Sequence, residues 1–538
     1  MSVTLLVSGI ALSPNHDESD AFHEAICRLR KNRLLQGAYK GNELYIARRS
    51  VDARRKNQIR LVYTVAVGGL YLSEKQKKSL PSNITIKAEE APLLQKGHAP
   101  LPHPPVVVGS GPAGLFSALM LAEEGYHPIL LERGGDVGER IQAVSSFYKT
   151  KQLNTETNIQ FGAGGAGTFS DGKLVTRVND SYQDYVLKKF VEFGAPREIL
   201  WQAKPHIGTD YLRIIVSNML EKIKSLGGEV RFHAKLEDIT VRDGRLSSIR
   251  VSGTDMPCEL LLLAIGHSAR DTYRMLLSKP LSIEAKPFSV GMRIEHLQAD
   301  IDSAMYGDFA GHKRLGHAEY ALSSHTDTRG VYTFCMCPGG EVMAAASEQE
   351  ALVVNGMSNH LRDGKNANAA VAVSVFPDDY GNTPQSAIDY QRKIERLAFA
   401  SGGGDYAVPL CTVGDLLADS YHTEPSRIVP TYMGGKHFKV ASPSTFLPPE
   451  IVSSLRDGIR AFGQKLQGYD VCDAVLSGAE TRTSAPVRIL RGSNREALGC
   501  QGLYPCGEGA GYAGGITSAA LDGLRTAIAL MAVYAPPF

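Results

Sequence analysis

The sequence predicts an α/β protein. A Rossmann-type domain with a parallel sheet is interrupted by an inserted α+β domain and preceded by a small N-terminal α+β module. Three observations carry this reading. After residue 105, short apolar strands alternate with helical patterns, the mark of a parallel sheet. A glycine-rich turn joins the first of those strands to its helix. A second glycine-rich strand-to-helix turn lies near the C-terminus, beyond a long stretch of different patterning. At 538 residues, the chain is too long for one core, and two or three domains are expected.

Residues 1–99 read as the N-terminal module, with strands at 4–8, 43–49 and 59–67 and a helix at 17–30, a pattern of ferredoxin-like type. Residues 1–100 carry 16 Lys and Arg against 9 Asp and Glu, and the remainder of the chain carries 42 against 47. Residues 48–56 are the most basic part. Such a surface is either a solvated face or a platform for an acidic partner. The proline-rich run 100–105 reads as a stiff, extended linker.

The next block, 100–280, is read as the first part of the nucleotide-binding domain. Its strands fall at 106–108, 128–132, 229–233 and 259–266, with a hairpin ending at Val251 whose turn is Asp243-Gly244. The helix after the first strand places Leu115, Ala118, Leu119 and Ala122 on one face, and Thr209 opens a second helix. Residues 281–478 begin a new strand pattern and read as an inserted substrate or cap domain. Residues 479–538 return to the first domain, with a strand in 502–509 and a helix at 516–532.

Gly109, Ser110, Gly111, Pro112, Ala113 and Gly114 fit G-x-G-x-x-G in its full context of strand, turn and helix. Gly109 permits the tight turn, Gly111 lets backbone approach a pyrophosphate, and Gly114 allows helix and strand to pack closely. The helix N-terminus offers free amides and a partial positive charge to phosphate. Glu132, at the end of the next strand, is placed to accept the two ribose hydroxyls, and its charge disfavours a 2′-phosphate. Gly507, Glu508, Gly515 and Ile516 supply a second, distant anchor. Glu508 suits a ribityl hydroxyl, and the amides at Gly515 and Ile516 suit the N1–C2=O edge of a flavin. Two anchors so far apart point to FAD rather than to NAD alone.

The order of these pieces resembles the glutathione-reductase-type flavoprotein superfamily and, more closely, a bacterial family of FAD-dependent dehydrogenases. The stretches carrying the resemblance are FGAGGAGTFSDGKL at 161–174, ETRTSAPVR at 480–488 and the 507–517 turn. The resemblance implies a non-covalent FAD oxidoreductase, a dehydrogenase or reductase acting on a small molecule. It implies cofactor contacts at the fingerprint glycines, at Glu132 and Arg133, at the backbone near Leu236, at Gly266, and near Glu508 and Gly515. One departure is that Glu508 stands where the superfamily often has Asp. With no second fingerprint in the chain, NADH or NADPH is expected only as a transient reductant.

Other motifs leave alternatives open. The 161–174 loop is too glycine-dense for a helix or strand, and lies against the cofactor, admits substrate, or is a structural loop. Cys335 and Cys337 sit far along the chain from the fingerprint and read first as a packed pair and second as a redox pair. His206 and His267 read first as structural groups and second as candidates for meeting substrate or phosphate, and Glu480 with Arg482, near the domain junction, reads first as an internal ion pair and second as groups that bind a carboxylate or move a proton. No catalytic residue is assigned. The eight cysteines lack zinc or iron–sulfur spacing, so no metal is expected, and their scatter suits a reducing cytoplasm. No apolar run approaches the roughly 18 residues a membrane span needs, and the sequence sets no oligomeric state. The second function class is an RNA-directed flavoprotein, or an FAD-stabilised binding protein, using the basic module. The absence of aromatics in 48–56 weighs against nucleic acid.

Overall fold

The computed structural model describes residues 2–39, 41, 43–87, 94–325 and 329–537. Its first sheet is five-stranded and parallel, in the order Leu503–Pro505, Leu261–Leu263, Val106–Val108, Ile129–Leu131, Glu229–Arg231. Val106, Val107 and Val108 are all buried, as a strand covered on both faces requires. The C-terminal strand is hydrogen-bonded to the edge of this sheet, so the two glycine-rich turns open at the same strand ends.

The fingerprint helix, Pro112–Glu123, reads from sequence as having one apolar face. Every residue from Ala113 to Ala122 is in fact buried, because the helix lies between the sheet and the C-terminal helix Ile516–Met531. Glycines permit that approach. A Cβ on Gly114 would stand 1.7 Å from the Gly109 carbonyl oxygen, and one on Gly523 would stand 2.1 Å from the Ala113 carbonyl oxygen. Gly109 itself has φ +95, in the region glycine adopts without cost.

A three-stranded antiparallel sheet follows, with Leu236–Arg242, Arg245–Val251 and Thr254–Pro257. Asp243 and Gly244 both have positive φ, as the expected hairpin turn demands. The third strand is not apparent in the sequence. It is a short polar edge strand ending in proline, where the ladder bond is dispensable.

The second large sheet has seven strands. Its centre is Phe288–Leu297, buried at nine of ten positions, between Asn366–Val375 and Val475–Glu480. Ile283–Ala285 pairs antiparallel with Val487–Ile489, so the chain leaves and re-enters through one two-stranded neck.

In the N-terminal module, Leu44–Asp52, Arg60–Leu70, Val3–Leu12 and Ile84–Ile86 form a sheet in that order, the split βαβ arrangement of ferredoxin-like folds. Asp17 caps the helix Glu18–Lys31 with a reciprocal bond from Asp20. The helix Glu74–Lys78 and the last strand are too short to show in the hydrophobic pattern. The proline-rich run differs from a free linker. Gly97 and Ala99 donate to the carbonyls of Met531 and Val533, Ala535 donates back to Ala99, and Leu101 is buried. The segment 97–99 that leads into the run would otherwise have unpaired backbone groups, and the C-terminal tail pairs with it. The module is also tied at its edge, where Arg49 exchanges backbone bonds with Trp201 and Ala203 at 2.7 and 2.8 Å. Its buried core runs on without a break into that of the seven-stranded sheet.

Two outcomes are expected. Gly523→Val forces apart the two helices behind the fingerprint and lowers stability by about 3 kcal/mol, read from chemical denaturation. Removal of residues 1–98 bares apolar core and lowers the apparent melting midpoint by several degrees, read by scanning calorimetry. It leaves every cavity-lining residue in place, because none precedes Val108.

Candidate cofactor-binding and active site

A cavity of about 350 Å³ opens where the two large sheets meet. The fingerprint turn, the 161–174 loop, Leu236, Gly266 and the turn at 514–516 form one side, and residues of the seven-stranded sheet and the 480–483 segment form the other. Neither Gly111, at the start of the fingerprint helix, nor Gly515, at the start of the C-terminal helix, provides a side-chain cap. Both helix ends therefore present their first amides and positive dipole ends at the cavity. A Cβ on Gly111 would have Gly165 Cα, at 3.9 Å, as its nearest neighbour, and one on Gly514 would meet nothing within 4 Å.

The residues expected from sequence are mostly brought together here. Gly109, Ser110, Gly111, Pro112, Ala113, Glu132, Arg133, Leu236, Gly266, Glu508, Gly515 and Ile516 all line the cavity. Gly114 and Gly507 stand behind it. Gly507 has φ +74 and donates its amide to Asp522 at 2.8 Å, which fixes the turn presenting Glu508.

Glu132 is more committed than its sequence position implies. Its Oε2 accepts the Ser110 amide at 2.9 Å and the Ser110 hydroxyl at 2.6 Å, and its Oε1 accepts the amides of Gly134 and Gly162 at 3.0 and 2.9 Å. Four donors fill the usual capacity of a carboxylate. A ribose hydroxyl reaches it only by displacing one, and the Ser110 hydroxyl is the one free to rotate. Arg133 is held by Glu156 and Asp271 at 2.7 and 2.9 Å and lies over the Phe161 ring.

The 161–174 loop holds a short 3₁₀ turn, Gly165–Phe169, and is otherwise irregular. Its shape is imposed by Arg140, a residue the sequence does not single out. Wholly buried, Arg140 donates to the carbonyls of Asn158, Ile159, Ala163 and Gly165. Burial brings its guanidinium down to about 9. Asp171 and Lys173, at the end of the loop, pair at 3.0 Å, and Arg362, from the turn before the strand Asn366–Val375, grips Asp171.

On the other wall, Glu480 and Arg482 do not pair with each other as expected. The strand Val475–Glu480 ends at Glu480, so Arg482 lies beyond it, and each finds its own partner. Glu480 meets Arg293 at 3.2 Å. Desolvation raises its carboxyl to about 7, with Arg293 opposing. Arg482 binds Glu395 through two bonds, and also reaches Ser268 and Ser347. Glu508 is likewise pushed up to about 7 by desolvation, with Lys286 opposing. His267 lines the cavity, bonds Ser268, and is lowered to about 3 by burial and then by Arg482 and Arg270. It stands there as a neutral ring. His206 is absent from the lining. It stacks on His360 and bonds that residue's carbonyl at 2.9 Å, a structural role.

Cys335 also differs from its expected place. Remote from the fingerprint in sequence, it lines the same cavity. The strand Gly330–Cys337 ends at the junction of the sheets, and a register shift between Phe334 and Cys337 turns it inward. Cys500 and Cys506, on either side of the strand Leu503–Pro505, are buried.

Residues 287–483 match a family model described as "FAD-dependent protein, C-terminal domain-like". The chain is 46% identical over 534 residues, 98% of each, to an uncharacterized protein of Clostridium beijerinckii. Among solved structures it is similar to CtdE in complex with FAD (TM-score 0.31, 11% identity, 81% of this chain and 86% of that one). It is also similar to a glycine oxidase from Bacillus cereus (TM-score 0.35, 9% identity, 78% and 93%).

The raised carboxyl of Glu480 has a measurable consequence. Its folded value, about 7, lies above its unfolded value, so the folded state holds the extra proton and that stabilisation is lost as pH rises through about 7. Relative to Glu480→Gln, the parent protein is therefore expected to lose stability between pH 5 and pH 8. Denaturation curves of the two proteins at both pH values check this.

Proposed function

This chain belongs to one family with the Clostridium beijerinckii protein, and on that footing we propose that it is a non-covalent FAD-dependent oxidoreductase acting on a small molecule. The observation that carries the proposal is the convergence of two uncapped helix N-termini, at Gly111 and Gly515, on one cavity. Glycine at 111 leaves the backbone bare where a pyrophosphate would pass. Leu236 lines the wall where the family resemblance puts adenine, and Glu508 lies near the C-terminal helix start where a ribityl chain would run. These positions support the placement that the resemblance to the glutathione-reductase-type superfamily implies.

FAD, when bound, supplies two-electron redox chemistry. The chain supplies position, dryness and protons. The amides at Gly515 and Ile516 offer a positive pole to developing negative charge. Glu480 and Glu508, each near pH 7 in proton affinity, hold a proton that either can give or take near neutrality. Arg482 is fixed by Glu395 and offers a rigid cation on the substrate side. In this reading NADH or NADPH serves only as a transient reductant. No observation favours a nucleic-acid role over this one: in 48–56, Arg54 pairs with Asp52 at 2.5 Å and Arg49 is tied to the segment at 201–203. No helix among the described residues is long and apolar enough to cross a membrane.

The purified protein is expected to be yellow, and heat is expected to release FAD rather than FMN, identified by chromatography. Gly111→Val puts a branched side chain in the pyrophosphate path and is expected to abolish binding with the fold retained by circular dichroism. A folded, colourless parent protein that takes up no added FAD overturns the proposal.

A further inference from the structure

Cys335 and Cys337 are the closest pair of cysteines in the chain, and the structure places them where chemistry is accessible. Both are free thiols. Cys335 is partly exposed on the cavity wall beside Phe334, whereas Cys337 is buried behind it. The Cys337 thiol donates to the Cys335 carbonyl at 3.3 Å, which folds its sulfur back toward Cys335. Cys335 has φ +45, a left-handed conformation that is unusual for a non-glycine residue. The strain coincides with the register shift between Phe334 and Cys337. A regular strand would carry Cys335 through its hydrogen bonds to the next pair. The irregular turn instead presents it to the cavity, and strained backbone of this kind collects at working sites.

The surroundings are those of a reactive thiol. Arg293, wholly buried, donates to the Cys335 carbonyl at 2.8 Å and reaches Cys337 Sγ at 3.9 Å. Lys173 adds a second cation, while Asp171, Glu480 and Glu508 are the acids facing the pair. The hydrogen bond from Cys337, followed by Arg293 and Lys173, favours the thiolate of Cys335 against its desolvation, and Cys337 is held firmly as a thiol. By contrast, burial raises Cys258 to about 12 and Cys500 to about 11. One cysteine thus lies partly exposed on the cavity wall beside cations, with a second adjacent to resolve it.

We propose that Cys335 and Cys337 form a redox-active dithiol that reduces small-molecule disulfides entering this cavity. The Cys335 thiolate attacks one sulfur of R–S–S–R. The substrate S–S bond breaks, a Cys335–S–S–R bond forms, and one R–S⁻ leaves and takes up a proton from water. Cys337 then attacks Cys335 Sγ, the second R–S⁻ leaves with the Cys337 proton, and the Cys335–Cys337 disulfide closes. The substrate gains two electrons and the pair loses two. Any two-electron reductant, such as a small dithiol, restores the pair. The substrate pocket is the one in the reading above, but the exchange itself does not require that reading to hold.

The test uses the full chain and bis(2-hydroxyethyl) disulfide. The segment between Arg329 and Arg362 contains both cysteines and no other cysteine, lysine or arginine, so one tryptic peptide reports on the pair. After treatment, that peptide is expected to lose two hydrogens by mass and to regain them with dithiothreitol. Cys337→Ser is expected to keep one mercaptoethanol adduct on Cys335, and Cys335→Ser to form none. In the untreated protein at pH 7, iodoacetamide is expected to modify Cys335 about tenfold faster than exposed Cys472. An unchanged peptide, or a Cys335 alkylated no faster than Cys472, overturns the proposal. Flavin content, read by absorbance on the same samples, separates this outcome from failure of the FAD reading. Bound FAD with inert cysteines rejects the dithiol alone, and an active dithiol without FAD rejects the flavin reading alone.

Discussion

The carboxylate of Glu395 is the point on which the two halves of this molecule turn. It sits wholly buried on the helix Pro384–Gly402 of the second sheet's domain. Arg270, from the helix that follows the parallel sheet, meets it at 2.6 Å, and Arg482, from the returning chain, meets it at 2.9 Å. The two cations hold its carboxyl well below the usual range against a large desolvation cost. Removal of either arginine strands charge in a dry interior, where the cost is several kcal/mol. The pairing thus specifies the join: Arg482 in this position also orders Ser268 and Ser347 on the cavity wall.

The cavity is built on that join. One side is backbone: bare glycine turns and two helix ends that attract negative charge. The other is side chains: Glu480, Arg482, His267 and Cys335, each set beside a named neighbour. Such a division suits a protein that must hold an extended anionic cofactor and present a substrate to it. Glycine serves the first task because it lets backbone come close, and buried paired charges serve the second because they cannot relax.

The Gly-rich loop shows the two demands meeting. Its glycines admit it to within van der Waals reach of the fingerprint: a Cβ on Gly165 would stand 3.0 Å from Gly111 Cα. Its conformation comes from Arg140, whose guanidinium bonds four carbonyls. Permissive backbone is given a single shape by a buried cation, so the loop needs no regular secondary structure to be a wall.

The sequence alone determined the alternation of strand and helix, the fingerprint with its acid, and the second glycine turn, because those features are local. Each lies within one strand–helix–strand unit or less, and the 3.6 and 2.0 periods and the turn chemistry write them directly into the chain. It underestimated elements too short for a period, such as Ile84–Ile86 and Thr254–Pro257. It also took the fingerprint helix as half-exposed, because burial on the far face depends on the C-terminal helix. What only the tertiary structure decided was pairing across distance. Glu480 found Arg293 rather than Arg482, Ser110 occupied Glu132, the segment leading into the proline run bonded to the C-terminal tail, and Cys335 arrived in the cavity. A buried charge or bare amide takes whichever partner the fold brings within about 3 Å, and no spacing along the chain encodes which one that is.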